Sequence, residues 1–187
     1  MSFPETVHEF APATTAAPGP KAGTGGAQPP PLVMADHEVA EIIRQSGEGN
    51  AALMRGDIHA YQALVPRTED FTIMGPFGGA THGAEFTPER WEAMGRFFRN
   101  GTHAQEIIKT YRSADMVVLV LNEHNNVEVG GLPAQEWALR VTLVYQRKDG
   151  AWRLAHRHAD PLVARIAEKQ AAAHARGATG CHEDAPA

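Results

Sequence analysis

Between residues 36 and 66 apolar side chains recur at helical spacing. Val39, Ile42, Ile43, Leu53 and Met54 share one stripe with Ser46 and Asn50. Asp36 stands where an N-cap belongs, and Gly56 is a natural stop. Asp57 can cap a second, shorter helix carrying Ile58, Tyr61, Leu64 and Val65, which Pro66 ends. The period then falls to two. Over residues 71–75, Phe71 and Ile73 point one way and Thr72 and Met74 the other. Pro76, Gly78 and Gly79 break this strand into a loop reaching about residue 86. Thr87, Pro88 and Glu89 supply a cap, a first helical position and an acid in the first turn. The helix they start carries Trp91, Met94, Phe97 and Phe98 and is predicted to end near Asn100 and Gly101.

The rest of the pattern is β. Residues 103–112 alternate, and residues 116–122 are a nearly continuous apolar run, which predicts a strand covered on both faces. Gly130, Gly131 and Pro133 mark a connection. Residues 136–147 alternate again, with Trp137, Leu139, Val141, Leu143 and Tyr145 on one face and Arg140, Thr142, Val144 and Gln146 on the other. Asp149 and Gly150 form the best hairpin signal in the chain, and the last strand runs from Trp152 to about Ala159. An Ala-rich stretch, 162–175, predicts a terminal helix. Helices first and four paired strands afterwards predict an α+β domain with a bent antiparallel sheet.

Composition separates the ends from this core. Residues 1–34 mix Pro with Ala, Gly and Thr and cannot bury enough apolar surface to offset their ordering, so a disordered tail is expected there. Its first residues, Phe3 to Phe10, read either as a short docking motif or as plain tail. The domain is expected over 35–162, with a helix and a second disordered tail over 163–187. The net charge of −5 argues against nucleic acid as a main partner, which would need a clustered basic surface. No apolar run is long enough to suggest a membrane span. The lone cysteine, Cys181, excludes an intrachain disulfide, and no secretory signal is visible, so a cytoplasmic protein is expected.

The order of elements and several local motifs resemble the nuclear-transport-factor-2-like superfamily, which includes ketosteroid isomerases and SnoaL-like polyketide cyclases. The motifs run from Leu53 to Asp57 at the helix break and from Phe71 to Pro76 as the first strand. They continue through Arg140, Val141 and Thr142, the Asp149–Gly150 turn, and the ending from Trp152 to Asp160. That ending looks most like the SnoaL-like group of calcium/calmodulin-kinase association-domain type. The resemblance covers roughly residues 36–162. It implies a cone-shaped sheet wrapped around the N-terminal helices, a ligand pocket inside the cone, and a homodimer formed through the outer sheet face. Members share architecture more than activity. The steroid isomerases' Tyr falls at Gly49, their Asp at Gly75 and their third acid at Thr142 or Leu143, so that constellation is absent here.

Within this frame the last strand is the densest polar segment. Simple alternation puts Trp152, Leu154, His156, His158 and Asp160 on one face and Arg153, Ala155 and Arg157 on the other. Burial of Trp152 calls for that face to be covered, whereas the resemblance places the Arg157 face inside. A partner subunit over the outer face reconciles the two. Arg153 and Arg157 then become candidates for an anionic ligand. His156 and His158 read as an acid/base pair, as half of a metal site completed by His103 or His124, or as structural groups bonded to Asp160. Arg140 reads either as a ligand contact or as a partner of Glu136 or Asp160. The expected catalytic set is His158, His156, Arg157 and Arg140, with no metal and no cofactor. The expected ligand contacts are Tyr61, Phe71, Ile73, Trp91, Tyr111, His124, Trp137, Tyr145 and Arg153. The function expected is acid/base chemistry (isomerisation, cyclisation or hydration) on a small apolar or carbonyl-bearing molecule. The alternative is a non-catalytic dimeric binding or accessory module.

Overall fold

Gly56 sets the first corner of the fold. Its φ of 83° is left-handed, and its N–H caps α1 (Asp36–Arg55) by bonding the carbonyls of Ala52 and Leu53. The next residue, Asp57, accepts from the Ala60 N–H at 3.0 Å and starts α2 (Ile58–Leu64). The two helices pack closely because Gly49 has no side chain: a Cβ there would lie 2.4 Å from a Val65 methyl. At the other end of α1 the cap differs from expectation. Asp36 is the first helical residue, and Glu38 receives the Ala35 N–H at 3.2 Å.

The computed structural model describes residues 34–77, 82–83 and 87–177, all within one of the two units into which the chain divides, 31–187. The expected tails and Cys181 lie outside the described residues, except for Met34, which is buried in the core. After α2 come β1 (Arg67–Met74) and the two-residue β2 (His82–Gly83). They are followed by α3 (Pro88–Phe97), β3 (Phe98–Arg112), β4 (Met116–Val129), β5 (Gln135–Lys148), β6 (Ala151–Pro161) and α4 (Glu168–Gly177). Thr87 caps α3 as expected, but the helix ends at Phe97, and β3 begins at the next residue. α4 starts at Glu168, six residues later than the composition suggested. None of the described helices is long and apolar enough to cross a membrane.

Five long strands edged by β2 form one curved, open sheet in the order β2-β1-β6-β5-β4-β3. From β3 to β6 it is the expected antiparallel meander, and β1 joins the far edge parallel to β6. The Asp149–Gly150 turn has both residues at positive φ, 52° and 78°, as a two-residue hairpin requires. Strict alternation along the central strands builds the core. Val117, Leu119, Leu121 and Val127 of β4 and Leu139, Val141, Leu143 and Tyr145 of β5 are all buried with Ile42, Leu53 and Met54 of α1. Each such aliphatic side chain contributes roughly 1.5–3 kcal/mol of burial. This inner face carries the candidate site.

Candidate functional site

The inward positions of β4 are its odd-numbered ones, and the period does not stop at the apolar residues. After Leu121 it delivers Glu123 and Asn125 to the interior, 2% and 4% exposed. A lone carboxylate there would be costly. β6 supplies its partner: Arg157 donates Nη1 to Oε1 and Nη2 to Oε2 of Glu123, both at 2.8 Å, a bidentate pair. From α1, Asn50 Nδ2 donates to the same carboxylate at 3.3 Å and to the Ser46 carbonyl at 3.1 Å. One charge pair thus ties the first helix to two strands of the sheet.

The electrostatics follow from burial and pairing. Burial alone pushes the Glu123 carboxyl up, but the Arg157 charge and hydrogen bonds, with His103 adding to them, outweigh it and hold it below the usual range. Burial likewise opposes the charge on Arg157, and Glu123 more than reverses this. Both groups are ionised at neutral pH. The nearby Tyr145 phenol is pushed well up, chiefly by burial. Next to Glu123 on the inner face of β4, outside the cavity lining, Asn125 is a second buried polar group. Asn125 Nδ2 donates to the Trp137 carbonyl at 3.1 Å, which turns Oδ1 toward His103 Nδ1 at 2.8 Å.

Glu123 and Arg157 line a cavity of about 580 Å³. Its walls are mostly apolar: Phe71 and Ile73 from β1, Trp91 and Met94 from α3, and Trp137 and Leu139 from β5. Phe77, Phe97, Phe98 and Trp137 also line it and form one aromatic cluster, with neighbouring ring centroids 5.0–5.6 Å apart. Arg67, the first residue of β1, lies 4.1 Å from the Trp91 ring centroid, 5.2 Å from Tyr61 and 5.4 Å from Phe71. Gly75 also lines the cavity.

Six residues singled out in the sequence line this cavity: Tyr61, Phe71, Ile73, Trp91, Trp137 and Arg157. Tyr145 is buried in the adjoining core. The remaining residues stand elsewhere, and a β-bulge explains why. The β5–β6 register slips at Ala155, between the pairs Tyr145↔Leu154 and Val144↔His156. Trp152 and Leu154 therefore face inward before the bulge and Arg157 and Ala159 after it. The expectation that Trp152 shares a face with His156 and His158 is overturned. Trp152 packs under the Arg147 guanidinium, 4.7 Å away, and both reach Glu38 at the start of α1. His156 and His158 pair with Val144 and Thr142 on the outer face. There His156 Nδ1 meets Thr72 Oγ1 at 2.8 Å, and His158 Nε2 meets Asp160 at 3.2 Å. Arg140 reaches the same Asp160 at 3.7 Å. Arg153, His124 and Tyr111 also take outer-face positions, opposite Gln146, Ala138 and Val118. Among the described residues no three His, Cys, Asp or Glu gather as metal ligands.

Residues 48–164, from within α1 to just past β6, match the model of a family described as a SnoaL-like domain. The chain belongs to the SnoaL-like family. Solved structures share the fold of this SnoaL-like chain. One is a candidate dehydratase of the nuclear-transport-factor-2-like family from Streptomyces avermitilis (TM-score 0.56, 16% identity, covering 69% of this chain and 99% of that one). Another is a ketosteroid isomerase-like protein from Erwinia carotovora atroseptica (0.52, 20%, 70% and 100%). A third is the association domain of C. elegans CaMKII (0.50, 14%, 66% and 95%). No protein with a curated description matches the chain. At these identities the likeness establishes the SnoaL-like fold alone; any activity rests on the site.

Proposed function

We propose that this SnoaL-like protein binds a small apolar, carbonyl-bearing molecule in its cavity and performs cofactor-free acid/base chemistry on it, of isomerase, cyclase or hydratase type. The observation that carries this reading is a buried, ionised Glu123–Arg157 pair set in an otherwise largely apolar lining. A guanidinium has five N–H donors and Glu123 takes two of them, so Arg157 has donors for a carbonyl oxygen. Glu123 is the proton acceptor. In the step proposed, a proton next to the carbonyl passes to the Glu123 carboxylate, and the electron pair moves onto the carbonyl oxygen. Arg157 stabilises the resulting oxyanion; where the substrate carries a β,γ double bond, the oxyanion is a dienolate, and return of the proton at its γ-carbon shifts that double bond into conjugation and gives an isomer. Pairing with Arg157 weakens Glu123 as a base; a carbonyl oxygen that draws on Arg157 restores its basicity.

A second reading, a non-catalytic binding or accessory module, is favoured by the two β6 histidines. His156 and His158, whose ordinary range suits acid/base work near neutral pH, sit on the outer face. In both readings the outer face, with Val118, Val120 and Val144 half-exposed, is taken as the homodimer surface. The fold it shares with an association domain supports that assignment. The two readings separate in deuterium oxide, with cyclic ketones as probes and mass spectrometry as the readout. Catalysed exchange at carbon next to the carbonyl, abolished in Glu123→Gln, is the result expected of the enzyme. Ketones that bind without accelerated exchange establish the module.

A further inference from the structure

One titratable group beside the cavity takes no part in the step just described. His103 stands opposite Asn125 across the β3–β4 ladder, and Gln105 stands opposite Glu123. His103 and Glu123 are therefore diagonal neighbours on the inner face, roughly 7–8 Å apart. The ring is held in place. Its Nδ1 meets Asn125 Oδ1 at 2.8 Å, and the 4% exposed Asn125 is tied in turn to the Trp137 carbonyl at 3.1 Å. His103 Nε2 is buried, so a charge on the ring is poorly screened. The surroundings leave that charge few rivals. Gln105 is neutral and gives its amide to the Ile43 carbonyl of α1 at 2.7 Å. The buried polar groups of α1 on this side, Ser46 and Asn50, are neutral too, and Arg44, Glu48 and Arg55 of the same helix are exposed. From β5 come Trp137 and Tyr145, whose phenol burial keeps protonated, and from β6 comes Arg157. The cations that act on the Glu123 carboxylate are Arg157 and, when protonated, His103. Arginine keeps its charge at any working pH; histidine is the side chain that ordinarily loses it near neutrality.

We propose that His103 is a positioning residue for Glu123: it passes its own charge state across the ladder, and the Glu123 carboxylate gains proton-abstracting strength as His103 loses its proton. The proposal rests on the reading of Glu123 as the proton acceptor and adds the group that regulates it. A protonated His103 favours the carboxylate and makes it the weaker base; a neutral one removes that hold, while Arg157 keeps the carboxylate ionised. Exchange catalysed by Glu123 therefore rises with pH through the His103 titration, although Glu123 itself is already ionised there.

The test has two arms, both on the full chain. In the first, without ligand, the carboxyl carbon of Glu123 is titrated by NMR. His103→Gln, which keeps a donor for Asn125 and loses the charge, should raise the Glu123 midpoint by at least about 0.3 pH unit, roughly a twofold change in proton affinity. In the second, deuterium exchange of cyclohexanone, taken as the excess over buffer, is followed against pH. It should step up where the His103 ring signals of the unaltered protein titrate, and the step should vanish in His103→Gln. An unmoved Glu123 midpoint overturns the inference. So does exchange without a step, or with a step that follows His156 or His158 instead. Each of these leaves the acceptor role of Glu123 standing. No catalysed exchange at any pH overturns the reading of Glu123 and this inference with it. The profile of the unaltered protein needs no variant to fold.

Discussion

Replacing Arg157 by Leu removes one half of a buried pair and leaves the other. Glu123 is 2% exposed and the Arg157 side chain 13%, so only water confined to the cavity is left to take the place of the two lost hydrogen bonds. Asn50 alone remains on the carboxylate, at 3.3 Å. Breaking a buried ion pair from one side costs about 3–5 kcal/mol at neutral pH. For a chain of this size that lowers the melting temperature by roughly 10 °C. The pH dependence supplies a sharper signature. In the unaltered protein Glu123 titrates below its unfolded value, so its contribution is present above that value and is lost as the pH falls through the folded one. In Arg157→Leu, burial acts without its counter-charge, the folded carboxyl titrates above the unfolded one, and the sign reverses. Stability then rises as the pH is lowered from 7 toward 5, by up to about 1.4 kcal/mol per unit. Removing both charges, as Glu123→Leu with Arg157→Leu, should bring stability back to within about 1 kcal/mol of the original or above it. Urea denaturation at several pH values measures all three proteins. A single-variant cost under about 1 kcal/mol, with an unchanged pH slope, would refute the buried-pair account.

Two further outcomes follow from the geometry. Gly56→Ala forces an L side chain into φ 83° and puts its Cβ 2.6 Å from the Gly95 carbonyl oxygen and 2.9 Å from that of Phe98, both backbone atoms. A loss of about 2–4 kcal/mol is expected in thermal melts, and a loss below about 0.5 kcal/mol would contradict the corner described. His156 is expected to titrate by NMR below the ordinary histidine range, because burial first and the charge of His158 second disfavour its cation, against a raising hydrogen bond to the Thr72 backbone. The unfolded chain then binds its proton more tightly, so this group costs stability as the pH falls. His158→Ala should move the His156 midpoint upward, and no movement would show that the two do not interact.

Much of the architecture was legible because periodicity and turn chemistry agree along most of the chain. The Gly56–Asp57 corner, the Thr87 cap and the Asp149–Gly150 hairpin each occur where a residue type is required by backbone geometry or by an orphan N–H. The site was less legible, for two reasons. The apolar run at 116–122 suggested a strand ending at Asn122, whereas β4 continues to Val129. Extending the odd-numbered alternation through Glu123 and Asn125 would have placed both inside, and the inward Arg157 would have named the partner. The bulge at Ala155 has no signature such as Gly or Pro. It reverses the faces of β6 within one strand, so His156 and His158 point away from the cavity although Trp152 and Leu154 point inward. Arg67 was missed because its aromatic seat comes from α2, β1 and α3 together.

The account's central claim, a hollow that receives a ligand, is tested most directly by the three tryptophans. Trp91 and Trp137 line the cavity, while Trp152 packs against Arg147 and Glu38 outside it. Indole signals of nitrogen-15-labelled protein, followed during titration with naphthalene carboxylate and its methyl ester, should shift for Trp91 and Trp137 and stay fixed for Trp152. Signals of Trp91 and Trp137 that remain still at saturating concentrations of both probes, or that move only together with Trp152, would contradict it.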